Sequence, residues 1–243
     1  MQVETHARSI LKAVCWRTLA TLTTALIVFV FTGEFALALT VGVLEVFAKM
    51  ALYVFHERAW QKIHWGKQDV PSFVLWFTGL PASGKKAVAD GVFRKIEATG
   101  IKVERLDSHD VRHLFPKLGF SPEEVDRHVR RAGHLCSMLE KNGVSVVASF
   151  VSPYRESRDF ARGLTGNFVE VYMKSTVEAC EQRDTKGHYR KARAGEYRFF
   201  PGVDVPYEEP AQAEIVIDID HVREEEAVET IWRYLKRHYL NAI

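Results

Sequence analysis

The pattern of apolar and polar positions changes character near residue 55. Before that point apolar residues run almost unbroken. Ala13 to Phe31 carries one charge, Arg17, and Phe35 to Phe55 carries only Glu45 and Lys49. Each run is close to the ~20 residues that cross a bilayer as helix, and Thr32-Gly33-Glu34 between them reads as a tight turn. The pattern predicts a two-helix transmembrane hairpin over residues 1–60, with spans at about 13–31 and 35–55. A hairpin buried in a soluble fold is the rival reading. A secretory signal fits poorly, because the second run follows at once with no clear small-residue cleavage site. Arg8, Lys12 and Arg17 flank the first run and Arg58, Lys62 and Lys67 follow the second, while the turn has no basic residue. The positive-inside rule then puts both termini, and whatever follows, on the cytoplasmic side of an inner membrane, with Trp16, Trp60 and Trp65 at the interface. Glu45 is expensive in mid-span. It either forms a polar seam with Arg17 and Lys49, its i+4 neighbour, or Arg17 and Lys49 snorkel to the interface.

Residues 61–72 are polar, end near Pro71, and read as a linker. From Phe73 the periodicity alternates. Short apolar runs at Phe73–Thr78, Val144–Phe150, Phe168–Met173 and Ile215–Ile219 predict strands, and Lys102–Leu106 is a further short strand candidate. Runs of helical period at Ala87–Ala98, Pro122–Asn142, Tyr154–Leu164, Val177–Arg183 and Glu224–Tyr239 predict helices. Alternation of this kind predicts an α/β fold for residues 73–243, a mainly parallel sheet covered by helices, with ligands at the carboxyl ends of its strands.

Charge adds little. With 33 basic and 31 acidic residues the net charge is +2, so no bulk attraction to nucleic acid exists and none is expected as a partner. Cys15, Cys136 and Cys180 have neither metal-site nor disulfide spacing.

The chemistry gathers at Gly79-Leu80-Pro81-Ala82-Ser83-Gly84-Lys85-Lys86, between the first strand and the first helix. Glycine-bounded loops in that setting turn successive N–H groups toward one phosphate, and the following helix adds its positive end. The spacing G-x4-G-K marks a phosphate loop for ATP. Gly79, Ser83, Gly84 and Lys85 are its candidate contacts, with Lys86 beside them. A Ser or Thr that holds Mg²⁺ belongs at position 86, and this chain has Lys86 instead.

Five ordered segments resemble the adenylyl-sulfate kinases. These are Leu106-Asp107-Ser108-His109-Asp110-Val111-Arg112-His113; Leu118-Gly119-Phe120-Ser121 with Arg130-Arg131; Phe150-Val151-Ser152-Pro153-Tyr154-Arg155; Cys180 to Glu196; and Phe200 to Pro210. The resemblance runs from about Phe73 to the C-terminus. It implies a P-loop kinase domain that phosphorylates the 3′-hydroxyl of adenylyl sulfate from Mg²⁺ATP, in a family that tends to form homo-oligomers. It further implies that Lys85 stabilises the transferring phosphoryl group, and that Asp107 and His109 stand at the catalytic end of their strand. By the same resemblance Arg183 contacts the donor adenine. Arg112, Phe120, Val151, Ser152 and Lys186 hold the acceptor. Lys186, Arg190, Lys191 and Arg193 form a basic lid hinged between two glycines. The first sixty residues resemble a family of two-helix membrane hairpins whose mechanism is uncharacterised.

The departures from the kinase pattern cluster. Lys86 replaces the metal-holding hydroxyl, His109 replaces a metal-side Asp, and Asp110 replaces Asn. Val125 and His128 stand where an acceptor-binding Arg and Asn belong, and Pro201 replaces Thr. Asp107 and Asp110 are the remaining oxygen ligands for Mg²⁺, which Lys86 and His109 disfavour. Three readings follow: a membrane-tethered adenylyl-sulfate kinase, a nucleotide-binding pseudokinase or scaffold, and a kinase for a different small acceptor.

Overall fold

The computed structural model describes residues 18, 20–24, 26–62, 70–115 and 119–240. It divides into two units, Met1–Lys67 and Gln68–Ile243, and the division falls within the expected linker.

In the first unit the apolar helix α1, Ala20–Thr32, turns at Gly33 (φ 70°) into α2, Phe35–Lys62. Phe29 packs edge-on against Phe35 across the turn, 6.2 Å between centroids. The window Phe35–Phe55 is long and apolar enough to cross a membrane, whereas α1 as described is short of that length. The expected start of the first span, with Arg8, Lys12, Cys15, Trp16 and Arg17, lies outside the described residues, as do Trp65 and Lys67. Glu45 does have a seam. It pairs with Lys49, and Thr24 Oγ1 of α1 donates to its Oε1 at 3.1 Å. The interhelical partner is thus a neutral hydroxyl one helix away, and the part expected of Arg17 lies outside the described residues.

In the second unit the strands are β1 (Val74–Thr78), β2 (Val103–Asp107), β3 (Ser145–Ser149), β4 (Phe168–Lys174) and β5 (Ile215–Asp218). They form one sheet of order β2-β3-β1-β4-β5 in which every pairing is parallel. Successive side chains of a strand point to opposite faces, and β1 uses both. Leu75 and Phe77 join Val88, Val92 and Ile96 of α3 (Lys85–Glu97) and Ile231 and Leu235 of α9 (Glu224–His238) in one core. Val74 and Trp76 join Val111 of α4 (Ser108–Leu114), Val129 and Cys136 of α5 (Pro122–Lys141) and Ala161 of α6 (Arg155–Leu164) in the other. A sheet buried on both faces explains why β1 and β3 read as continuous apolar runs. Two short helices complete the unit, α7 (Val177–Arg183) and α8 (His188–Arg193). Periodicity missed α4 and α8, whose segments Ser108–Leu114 and His188–Arg193 are mostly polar, with isolated buried positions such as Val111 rather than an apolar stripe.

Candidate active site

The loop after β1 is shaped by backbone that few residues tolerate. Gly79 has φ 151°, and a Cβ there would meet Met173 O at 2.6 Å. Gly84 has φ 78° at the start of α3, and Ala82 takes φ 57° without glycine's freedom. Lys85 is the first residue of α3 and is 8% exposed. Its Nζ donates to Gly79 O (2.9 Å), Leu80 O (2.6 Å) and Ser83 Oγ (3.1 Å), closing the loop on itself. Burial lowers its pKa to about 7, against a smaller opposing pull from Cys180 and Asp107.

Lys86 points to the next strand. Its Nζ lies 3.3 Å from Asp107 Oδ2, and Asp107 Oδ1 accepts from His109 N at 2.8 Å as the N-cap of α4. Asp110 faces Arg105 at 3.9 Å and His109 Nδ1 at 3.7 Å. These residues do not fit Mg²⁺. That ion requires oxygen donors in near-octahedral array, whereas the hydroxyl at 86 is gone, an ammonium holds one Asp107 oxygen, and an imidazole stands at 109. Among the described residues no group of three or more His, Cys, Asp or Glu side chains is placed to hold a metal ion. Asp107 and Asp110, the expected metal pair, each face a cation of the protein in this structure.

Beside the loop opens a cavity of about 740 Å³ whose wall includes Pro81, Arg112, Phe120, Val125, His128 and Val151. Arg112 Nη1 donates to Gly119 O at 2.9 Å, and its guanidinium lies 4.2 Å from the centroid of the Phe120 ring. Burial lowers its pKa, still leaving a cation. Phe120 is 63% exposed. The entry to α5 is fixed by a capping box, in which Ser121 caps Glu124 N while Glu124 receives Ser121 N and Gly119 N. His128 is 2% exposed, with Nε2 3.1 Å from Ser108 Oγ and Nδ1 buried without a hydrogen-bond partner. Desolvation lowers its pKa to about 4, so it is neutral at physiological pH.

Ser152 lines this cavity but turns its side chain inward. It is 2% exposed at φ 38°. Trp76 Nε1 donates to its Oγ at 3.1 Å, and that Oγ donates to Thr78 Oγ1 at 2.8 Å. Its hydroxyl is thus spent within the protein, where it holds the Val151–Pro153 backbone. Arg158 completes the brace. It is 1% exposed and donates to Ser152 O, Glu208 O and Glu170 Oε1, at 2.7, 2.7 and 2.8 Å. The sequence reading missed this cluster. Its signal was present: Glu170 interrupts an apolar strand, and Arg155, Arg158 and Arg162 recur with helical spacing.

The residues expected to form the lid have different partners in this structure. Gly187 and Gly195 both have positive φ, 69° and 79°, around α8. Arg193 is held by Glu181 at 2.8–3.1 Å, and Lys191 Nζ lies 5.8 Å from the Tyr197 ring centroid. Lys186 and Arg190 line a separate pocket with Asp184, so Lys186 stands apart from Arg112, Phe120, Val151 and Ser152. What ties α8 to the loop is the buried Tyr189, overlooked in the sequence, whose hydroxyl donates to Pro81 O at 3.0 Å. Arg183 is likewise tied, to Asp220 Oδ1 at 2.7 Å, Ser175 Oγ at 3.1 Å and Ile219 O at 3.2 Å, beyond the end of β5.

Comparison with known proteins agrees with this geometry. The adenylylsulphate kinase family matches residues 71–218, and the family described as predicted membrane protein (DUF2061) matches residues 10–61. The adenylyl-sulfate kinase of Staphylococcus carnosus is 45% identical over 173 residues, 70% of this chain and 87% of the relative. A probable adenylyl-sulfate kinase of Halalkalibacterium halodurans is 43% identical over 186 residues, 75% of this chain and 92% of the relative. Among solved structures, the Mycobacterium tuberculosis APS kinase CysC in complex with AMPPNP and APS superposes with TM-score 0.63 at 38% identity, covering 67% of this chain and 97% of that one. A hexameric APS kinase from Thiobacillus denitrificans gives TM-score 0.53 at 28% identity, over 72% of this chain and 31% of that one.

Proposed function

Since the chain belongs to the adenylylsulphate kinase family, joined to an N-terminal segment of the DUF2061 predicted membrane protein family, and is a kinase-type phosphotransferase by that kinship, we propose that it is a membrane-tethered kinase that transfers the γ-phosphoryl group of ATP to the 3′-hydroxyl of adenylyl sulfate. The observation that carries this reading is the cavity that shares Pro81 with the phosphate loop and Arg112 and Phe120 with the acceptor motif. On this reading an acceptor in the cavity lies beside the end of a triphosphate.

Each residue has a task that follows from its surroundings. Lys85 leaves the loop carbonyls for the β- and γ-phosphates, where its charge opposes the charge on the equatorial oxygens. The N–H groups of the loop and the start of α3 cradle the same phosphates. Gly79, Ser83 and Gly84 shape that cradle, and Lys86 adds a second cation at its edge. Phe120 stacks on the acceptor base and Arg112 receives its phosphosulfate as a planar donor. Val151 and Ser152 set the backbone against which the acceptor rests. Asp107, with His109 next to it, stands where the hydroxyl proton departs. Lys186 and Arg190 meet the phosphates when α8 closes, and Arg183 flanks the donor base. The Mg²⁺ that the family resemblance implies has no step here, because Lys86 and His109 do not suit it. The hairpin anchors the kinase unit at the cytoplasmic face of the inner membrane, with both termini inside, and a homo-oligomer is the assembly expected from the family.

The Lys86–Asp107 pair also favours a second reading, a nucleotide-binding pseudokinase or scaffold. Val125 and neutral His128, in the places of an acceptor-binding Arg and Asn, favour a third, a different small acceptor. One experiment separates them. Detergent-purified chain, ATP and adenylyl sulfate are incubated and the products identified by mass. Slow formation of 3′-phosphoadenylyl sulfate supports the proposal. Bound ATP without product supports the second reading, and product only from another acceptor supports the third.

A further inference from the structure

The replacement of an oxygen donor by His109 creates something besides a loss. His109 and His113 are four residues apart on α4 and therefore share one face. Their Nε2 atoms are 3.4 Å apart, with ring centroids at 4.5 Å and planes crossed at 74°. Zinc binds imidazole nitrogen at about 2.0–2.1 Å, and two nitrogens 3.4 Å apart subtend about 112° at such an ion, close to the tetrahedral angle. The other ring nitrogen of His109, Nδ1, lies 3.7 Å from Asp110 Oδ1, longer than a hydrogen bond, so the carboxylate is a nearby negative charge rather than a fixed partner of the ring. Both histidines are exposed, His109 at 78% of its side chain, so binding carries little desolvation cost. Imidazole donors select Zn²⁺, Co²⁺, Ni²⁺ or Cu²⁺ over Mg²⁺.

We propose that His109 and His113 form a bidentate site for a divalent transition metal, of the Zn²⁺ class, two residues beyond Asp107. Two positions of the tetrahedron remain for water or for an oxygen anion, one more than in a zinc site with three protein ligands. The site exchanges the hard-ion chemistry that this edge of the sheet lacks for borderline nitrogen ligation. It is independent of which acceptor the kinase uses, and its test contains no nucleotide.

Zn²⁺ is titrated by calorimetry into the full-length chain in detergent, with Mg²⁺ as a second titrant. Co²⁺ serves as an optical probe, because tetrahedral nitrogen ligation gives it strong visible absorption. The expected result is a Zn²⁺ site that millimolar Mg²⁺ does not displace. It weakens at least tenfold in His113→Ala and again in His109→Ala, each variant retaining the wild-type melting curve. The chain has ten histidines, so the variants decide the assignment. His221→Ala, a distant exposed histidine, should leave the affinity unchanged. Zn²⁺ affinity within twofold of wild type in the His109→Ala/His113→Ala double variant would overturn the proposal, as would Co²⁺ spectra that both single variants leave unaltered.

Discussion

Lys86 Nζ and Asp107 Oδ2 lie 3.3 Å apart and bridge the start of α3 to the end of β2. The pair explains how a lysine is accommodated where the family's pattern has a hydroxyl. Its charge is met by a carboxylate that the missing metal contact would otherwise leave facing solvent. Lys86 is 62% exposed, so the pair adds little stability; its effect is on which cation meets the nucleotide. Chelation of Mg²⁺ is expected to weaken ATP binding less than about threefold in the wild-type chain, because on the proposed function Lys86 turns from Asp107 to supply a cation beside the phosphates. In Lys86→Thr the same chelation should weaken it tenfold or more. Equal metal dependence in the two proteins, measured by calorimetry with and without EDTA, would refute this.

Lys85 gives a pH signature. Burial brings its pKa to about 7 in the free chain, so above that pH the amine is mostly neutral, while phosphate oxygens favour the ammonium. ATP binding should therefore take up a proton, up to one per site at pH 8, and affinity should fall as pH rises through 7. Calorimetry in buffers of different ionisation enthalpy measures the uptake. Lys85→Met should abolish this contribution, leaving only the titration of ATP itself.

The same shift acts on folding with the opposite trend. Lys85 binds fewer protons in the folded chain than in the unfolded one between about 7 and its ordinary value of 10.5. Its contribution to stability consequently rises with pH across that window. Comparing the melting temperatures of wild type and Lys85→Met from pH 6.5 to 9 isolates it: the advantage of the variant should shrink as pH rises.

Val125 lines the cavity proposed for the acceptor, at a position where the family's pattern carries a guanidinium. Restoring it as Val125→Arg should tighten adenylyl sulfate binding about tenfold to hundredfold, from the 1.5–3 kcal/mol typical of a hydrogen bond to a charged group. An unchanged or weaker affinity would mean that the cavity is built for another acceptor.

Arg158 is the brace under that cavity. Removing it as Arg158→Met leaves Glu170, which is 5% exposed, with Arg162 at 3.2 Å as its remaining cation, and unties Ser152 O and Glu208 O. Breaking a buried pair outright costs about 3–5 kcal/mol; with Arg162 still in place the expected loss is below that range, readable as a fall in the denaturant midpoint. The double variant Arg158→Met/Glu170→Met should recover part of the loss.

The strand–helix alternation was legible because a doubly covered parallel sheet leaves continuous apolar strands, and because helices as long as α5 show several turns of period. The phosphate loop was legible because its glycines and lysine are adjacent in sequence. The inward turn of Ser152, the tether from Tyr189 to Pro81 and the Lys86–Asp107 pair were not. Each joins residues on different elements, from 21 positions apart for Lys86 and Asp107 to 108 for Tyr189 and Pro81, and no local pattern encodes such a meeting. The lid shows the same limit: the sequence has four basic residues in one run, and the fold assigns Arg193 to Glu181 and Lys191 to Tyr197.

The central claim is that the loop closed by Lys85 grips a triphosphate. Titration of ATP into the purified full-length chain tests it most directly. Saturable binding at one site per chain, weakened at least tenfold in Lys85→Ala, is the predicted result. Absence of binding to the folded wild-type chain, or equal binding by the Lys85→Ala variant, would contradict it.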